Sequence, residues 1–405
     1  MSLVNIISAI GNNSSIYPLL VRDCGIEIPS KVGMTYTQNL KDSKQMANNA
    51  VRERLIDEYG TSAIWLGGIP LMDWLCNKGI EKLGYNPKIN PALFKENEKQ
   101  GMKLNIEMFK ETAPKEVKQM EKVLKNRKTF ERLLATKFVL STAIPVALMG
   151  YFLPKANFAL TEKIREKQIQ KVTPSQPSPS REGVSAPSFK GGVTTALANM
   201  STVNKMAVTD GGLTVGRVAT ARNKYEKMEM AFKMGGMMFL NFVAPLLLAE
   251  GLDKLSGKLF NTNVNLDPKL LNDKEFLKAI KEGSLALPKD NIVEFLDKNP
   301  EERFSQLVSK YCGVNYLEDG TRDPRSYVDE KKIKAFQKEI EKFAQQAKNS
   351  GDVDKFAKKA LKVKSGNIIA NVAISSFLLA VALPKVTFML RKKVTGSDAE
   401  PGLLA

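Results

Sequence analysis

Apolar residues collect into four dense segments separated by strongly charged stretches. The densest runs from Leu133 to Leu153 (LLATKFVLSTAIPVALMGYFL) and is broken only by Lys137 near its start. Its counterpart, Asn367 to Leu383 (NIIANVAISSFLLAVAL), carries no charge and continues through Pro384-Lys385 to Leu390. About 20 helical residues rising about 1.5 Å each cross about 30 Å of hydrocarbon, so both segments read as membrane-spanning helices. Two further segments are shorter. Met234 to Ala249 (MGGMMFLNFVAPLLLA) contains Asn241 and Pro245; Ala63 to Met72 (AIWLGGIPLM) contains Gly67, Gly68 and Pro70, with Trp65 and Trp74 placed as interfacial anchors would be. Runs of this length suit a re-entrant or buried helix as well as a span. The pattern therefore predicts an all-α integral membrane protein with two to four transmembrane helices. A soluble bundle built on the same segments is disfavoured, because the polar sequence between them offers no apolar faces broad enough to cover them.

The two strong segments resemble each other without a gap. Ala143-Ile144, Leu148, Leu153-Pro154-Lys155, Phe158, Leu160 and Lys163 recur as Ala373-Ile374, Leu378, Leu383-Pro384-Lys385, Phe388, Leu390 and Lys393. The weaker pair echoes too: Pro70-Leu71 with Gly79-Ile-Glu-Lys-Leu83 parallels Pro245-Leu246 with Gly251-Leu-Asp-Lys-Leu255. A duplicated two-helix unit accounts for this, each copy a Gly/Pro-broken apolar helix, a polar connector and a full apolar helix. Parallel repeats with interrupted short helices at matching places are a feature of transporters, and also of proteins that merely pack helix pairs.

This organisation divides the chain into a polar N-terminal region (1–59), a first membrane repeat (60–165) and a Pro/Ser/Gly-rich flexible linker (166–215). The start of the second repeat (216–260), a soluble helical insertion (261–365), the last transmembrane helix (366–393) and a disordered tail (394–405) follow. Thr173 to Gly192 (TPSQPSPSREGVSAPSFKGG) is too poor in apolar residues to order itself. From Pro114 to Arg132, Val117, Met120, Val123-Leu124 and Phe130 fall at near-helical spacing, predicting an amphipathic helix that enters the membrane. Within the insertion, Asn272 with Glu275 resembles a capping box, Gly283 a stop signal and Asn299-Pro300 a start. Ile333, Phe336, Ile340 and Phe343 then give a heptad-like stripe too short for a free-standing coiled coil.

Composition narrows the chemistry. The chain has 405 residues and no histidine, which removes His-based triads and His-ligated metals. Cys24, Cys76 and Cys312 are far apart and form no Cys-x-x-Cys pair, so neither a disulfide framework nor a structural metal site is expected. Gly211-Gly-Leu-Thr-Val-Gly216-Arg217 lacks the Lys-Ser/Thr of a phosphate loop, and Asn315 to Ser326 lacks the ligand alternation of a calcium loop. No cofactor is implied. Lys plus Arg number 61 against 43 Asp plus Glu, a formal charge of +18. These cations are interleaved with acids and accompany no nucleic-acid-binding motif, so lipid is the favoured partner and nucleic acid is not. Lysine-rich connectors suit anionic headgroups, and the helical insertion suits a protein partner. No oligomeric state follows.

The start of the chain lacks the cationic n-region of a secretory signal, so internal segments are expected to direct insertion, into a membrane of the bacterial inner type. Lys385, Arg391, Lys392 and Lys393 after the last segment favour both termini in the cytoplasm. Polar residues inside or beside apolar segments are the functional candidates: Asp73, Asn241, Glu250, Asn367 and Asn371. Such groups are costly in hydrocarbon and should face one another, backbone or water. They line a polar path between the repeats, or else glue helices together and sit at headgroup level. The expected function is a non-catalytic membrane-embedded structural or interaction protein. The alternative is a solute or ion transporter using the broken helices around Pro70 and Pro245.

Overall fold

The computed structural model describes residues 2–12, 15–40, 44–95, 99–153, six positions between 156 and 164, 200–219, 224–262 and 265–396. The fold is all-helical; among the described residues the only β pairing is an isolated bridge between Tyr316 and Arg322. Among the described residues three helical stretches, 127–150, 227–260 and 353–395, are long and apolar enough to cross a membrane. They coincide with three of the four apolar segments. The fourth, Ala63 to Met72, lies within a helical rod of Lys44–Ala63, a π turn at Ile64–Gly68 and Ile69–Lys82 that is not among them.

In chain order, α1 (Leu3–Gly11) is followed by a rod of α2 (Tyr17–Leu20), a π turn (Val21–Glu27) and α3 (Ile28–Asn39). The next rod joins α4 (Lys44–Ala63), a π turn (Ile64–Gly68) and α5 (Ile69–Lys82). After the short α6 (Met102–Met108) and α7 (Pro114–Lys125) comes α8 (Arg127–Ala147), which runs into a π turn at Leu148–Phe152. A rod formed by α9 (Thr202–Ala219) precedes one of α10 (Lys224–Met238), a π turn (Phe239–Val243) and α11 (Ala244–Phe260).

Each of these wide turns has one cause in the sequence. Two residues beyond them stand Pro29, Pro70, Pro154 and Pro245, and a fifth π turn, Leu378–Ala382, precedes Pro384 in the same way. Proline lacks an N–H and its ring clashes with the carbonyl four residues earlier. Those carbonyls belong to Gly25, Leu66, Gly150, Asn241 and Ala380, all inside the turns, and widening the helix there accommodates the ring without breaking the rod.

The rods make a closed circuit of neighbours. α3 packs on α4, α5 on α8, α8 on α9, and α9 on α10. The last rod, formed by α17 (Val353–Phe377), a π turn and α18 (Leu383–Thr395), packs on α10 and α11 and returns to the first rod at Val21–Glu27. The outward faces are apolar. Trp74 (56% exposed), Leu247, Phe377 and Met389 project from the bundle. Only 17% of the most apolar part of 227–260 is covered by protein. A core helix of a soluble protein covers most of such a face, so this one is dressed for an apolar surrounding.

The soluble part is built differently. Helices α12 (Pro268–Leu271), α13 (Lys274–Glu282), α14 (Ile292–Lys298), α15 (Arg303–Cys312) and α16 (Glu330–Asn349) bury Leu270, Phe276, Leu296, Phe304, Val308, Ile333, Ile340 and Phe343 in one core. The α13 cap is Asp273, whose carboxylate accepts from the N–H groups of Glu275 and Phe276; the capping box expected one residue earlier is displaced. Gly283, in the left-handed region at φ 67°, ends that helix as expected. α15 begins at Arg303, three residues after Pro300, because Asn299 caps the preceding helix end instead.

Three further expectations shift. First, the helix from Pro114 ends at Lys125, and its buried Val117, Met120 and Val123 face the soluble part rather than lipid. Gln100 exchanges two hydrogen bonds with the Val328 backbone (2.7 and 2.9 Å), Asn105 donates to the Pro324 carbonyl (2.8 Å), and Asn90 N–H donates to the Arg325 carbonyl (2.9 Å). The first connector and the insertion thus form one module. Second, the flexible linker expected over 166–215 overlaps α9: Met206 and Leu213 are buried against the neighbouring rods, and this packing outweighs the helix-weakening Gly211-Gly212. The segment from Thr173 to Gly192 lies outside the described residues. Third, the boundary expected at 365/366 falls inside a continuous helix, α17 (Val353–Phe377), which runs from the module into the bundle before its π turn and α18 (Leu383–Thr395). α1 packs beside Pro268–Leu271 and against α17.

Candidate functional site

The polar residues of the bundle point inward. A cavity of about 190 Å³ lies between residues 17–39, 44–68, 202–219 and 224–243. Asp23, Glu27 and Lys31 come from the first rod, where spacing of four places them on one helical face. Asp57, Glu58, Ser62 and Trp65 come from the second rod, Asp210 from α9, and Lys233 and Asn241 from the fifth. Lys31, 7% exposed, bridges Glu27 (2.6 Å) and Glu58 (3.3 Å), and Arg54 holds Glu58 from the other side at 2.7 Å. Ser62 Oγ donates to Asp23 at 3.4 Å. At about 1.5 Å per residue, Glu58 lies about 36 Å along its rod from Lys82 and Asn241 about 28 Å from Phe260. The cavity therefore occupies the half of the bundle remote from the soluble module.

The π turns meet at its floor. Trp65 and Phe242, from two of the turns, pack edge to face with centroids 6.1 Å apart, and the indole N–H donates to the Met206 carbonyl at 3.4 Å. Pro245 leaves the Asn241 carbonyl without its helical donor, and the Arg22 guanidinium, 3% exposed, reaches it at 3.4 Å while also donating to the Pro18 carbonyl. Backbone groups freed by proline inside an apolar bundle need such partners.

The five residues singled out from the sequence fall in three places. Asn367 and Asn371 stand on one face of α17 against α11. Asn367 donates to Asp253 (2.9 Å) and accepts from Ser256 (2.8 Å), while Asn371 donates to the Pro245 carbonyl (2.8 Å). Lys364 completes this seam by pairing with Asp253 at 2.7 Å. Asn241 lies round the turn from Pro245 and lines the large cavity. Asp73 belongs to a separate part-buried pair with Lys205, at 2.5 and 2.7 Å. Glu250 joins none of these; its carboxylate is 63% exposed and pairs with Lys254 one turn on.

The sequence reading missed Asp23, Glu27, Lys31, Glu58 and Asp210. Their segments carry too many charges to register as apolar runs. The available signal was the four-residue spacing of Asp23, Glu27 and Lys31 beside Gly-Ile-Glu-Ile-Pro29, which echoes Gly-Gly-Ile-Pro70. Among the described residues no cluster of acids and cysteines has the disposition to hold a metal ion. Comparison with family models, curated proteins and solved structures gives no match.

Proposed function

We propose that the chain is an integral membrane protein that binds and translocates a solute through the polar interior of its helical bundle. The observation that carries this reading is the inversion of polarity. Apolar side chains cover the outside of the long helices, while Asp23, Glu27, Lys31, Glu58 and Asp210 surround a cavity inside them. Ionisable groups enclosed in an apolar bundle are costly to keep and characteristically mark solute pathways. The reading involves no covalent chemistry.

The bundle is read as two copies of one three-rod unit, residues 17–164 and 202–395. In this reading Pro70 corresponds to Pro245 and Leu153 to Leu383. Two contacts support it: a Cβ at Gly60 would lie 2.9 Å from Leu153, and one at Gly236 would lie 2.7 Å from Leu383. In each half a glycine of the second rod thus lets the leucine before a proline of the third rod approach closely. Trp65 and Phe242 then meet at the axis relating the copies, and the cavity lies between the first two rods of each. Such repeat interfaces with broken helices are where secondary transporters hold their substrates.

Reconstitution on a solid-supported membrane tests the function. Rapid exchange of a panel of organic cations, anions and zwitterions is expected to give transient currents for at least one class, abolished by Glu58→Gln with the protein still folded. Absence of current for every class would remove the translocator. The module formed by residues 83–126 and 265–349 favours a second reading, a membrane-anchored docking protein. Most of its core, Phe276, Phe304 and Phe343 among them, lies within the module, and the bundle helices add Ile80, Phe130 and Phe356 where the two join.

A further inference from the structure

We infer that the 190 Å³ cavity binds a small amphipathic organic cation, an ammonium or guanidinium head on an apolar body. This rests on the solute-binding reading above and names its substrate class.

The wall is rich in acceptors. Five carboxylates line it, from Asp23, Glu27, Asp57, Glu58 and Asp210, against two cationic side chains, Lys31 and Lys233. Two of the acceptors are buried with capacity to spare. Asn241 is 6% exposed, and its side-chain oxygen has no hydrogen-bond partner. Glu27 is 2% exposed; one carboxylate oxygen pairs with Lys31 at 2.6 Å, and the other has capacity to spare. Leaving buried acceptors unmade costs about 1–3 kcal/mol each, more for a charged group, and a ligand bringing N–H donors recovers it. Lys31 already shows what such a ligand does: its ammonium spans Glu27 and Glu58 as a tethered occupant.

The acids come from the first two rods and α9, whereas α10 contributes Met230, Met234, Met237 and Met238. Flexible, polarisable thioethers adapt to apolar bodies of varied shape, and the Trp65 indole beside them offers a face to a cation. The free volume matches about six waters, enough for one compact organic molecule. A bare metal ion would find no use for the methionine wall, and an anion would meet the carboxylates.

The test is titration calorimetry on the full chain in lipid nanodiscs with three probes of similar size: 2-phenylethylamine, 3-phenylpropionate and 2-phenylethanol. Saturable binding of the amine alone is expected. Asp23→Asn and Glu27→Gln should each weaken it roughly tenfold or more, with Glu27→Asp retaining most of the affinity and all variants matching the parent in helix content. Amine binding indifferent to these substitutions would overturn the site. Binding of the acid or the alcohol without the amine would overturn the class while leaving solute binding intact. Silence of all three overturns the cation proposal, and joined to an absence of currents for every class it removes the translocator as well.

Discussion

At the scale of single residues, burial sets what each polar group does. Arg322 in the soluble module is 2% exposed, yet it is held by the Asp297 carboxylate at 2.5 Å and lies over the Phe109 ring at 5.0 Å. A buried charge with a partner on each side is tolerated where a lone one is not. At Cys312, at the end of α15, burial outweighs the nearby Lys332 ammonium and pushes the thiol up to about 11. At pH 8 nearly all of it is the unreactive thiol. With Cys24 and Cys76 changed to Ser, iodoacetamide should modify folded protein at least about tenfold more slowly than urea-unfolded protein at pH 8, with the gap closing towards pH 11. The unfolded thiol ionises first as pH rises, so the folded state loses stability above about pH 8.5. Equal alkylation rates in the two states would contradict the burial of this thiol.

At the scale of elements, proline governs the rods. The sequence pattern located the apolar parts of the last three long helices, because charge-free runs of that length have few other uses. It passed over the first rod, where Arg22, Asp23 and Glu27 interrupt the apolar run although their side chains turn inward. It also missed the π turns, since the relation between a proline and the carbonyl four residues earlier is a matter of geometry, not hydropathy. Of the candidate residues, Asn367 and Asn371 use their amides in the seam against α11, and Asn241 is buried beside the cavity; Glu250 differs because one helical turn supplies Lys254 locally. The glycine contacts give this level its test. Gly236→Val should lower the unfolding midpoint in detergent, at a cost of about 1–3 kcal/mol from overpacking, and Leu383→Ala should recover part of that loss. A Gly236→Val chain as stable as the parent, or one that Leu383→Ala does not rescue, would show that the close approach of these rods carries no weight.

At the scale of the whole molecule, two opposite polarity patterns meet in one chain. The soluble module follows the usual rule, with Phe276, Phe304 and Phe343 at 0% exposure and lysines outside. The bundle reverses it, with leucines, phenylalanines and methionines outside and a cluster of ionisable side chains within. α17 belongs to both: Phe356, Ala357 and Ala360 close the module core, and Asn367 and Asn371 lie in the bundle seam. A rigid helix shared in this way couples the module to the bundle mechanically. Lipid is expected to cover the outer face, and collision-accessibility measurements on nitroxide labels read this out. In a cysteine-free background, labels at Leu247, Phe377 and Met389 in bilayers are expected to be reached by oxygen and shielded from a water-soluble nickel chelate, with a label at Lys338 showing the reverse. Equal access of the chelate to all four positions, or a chain that stays monodisperse in buffer without detergent, would contradict it.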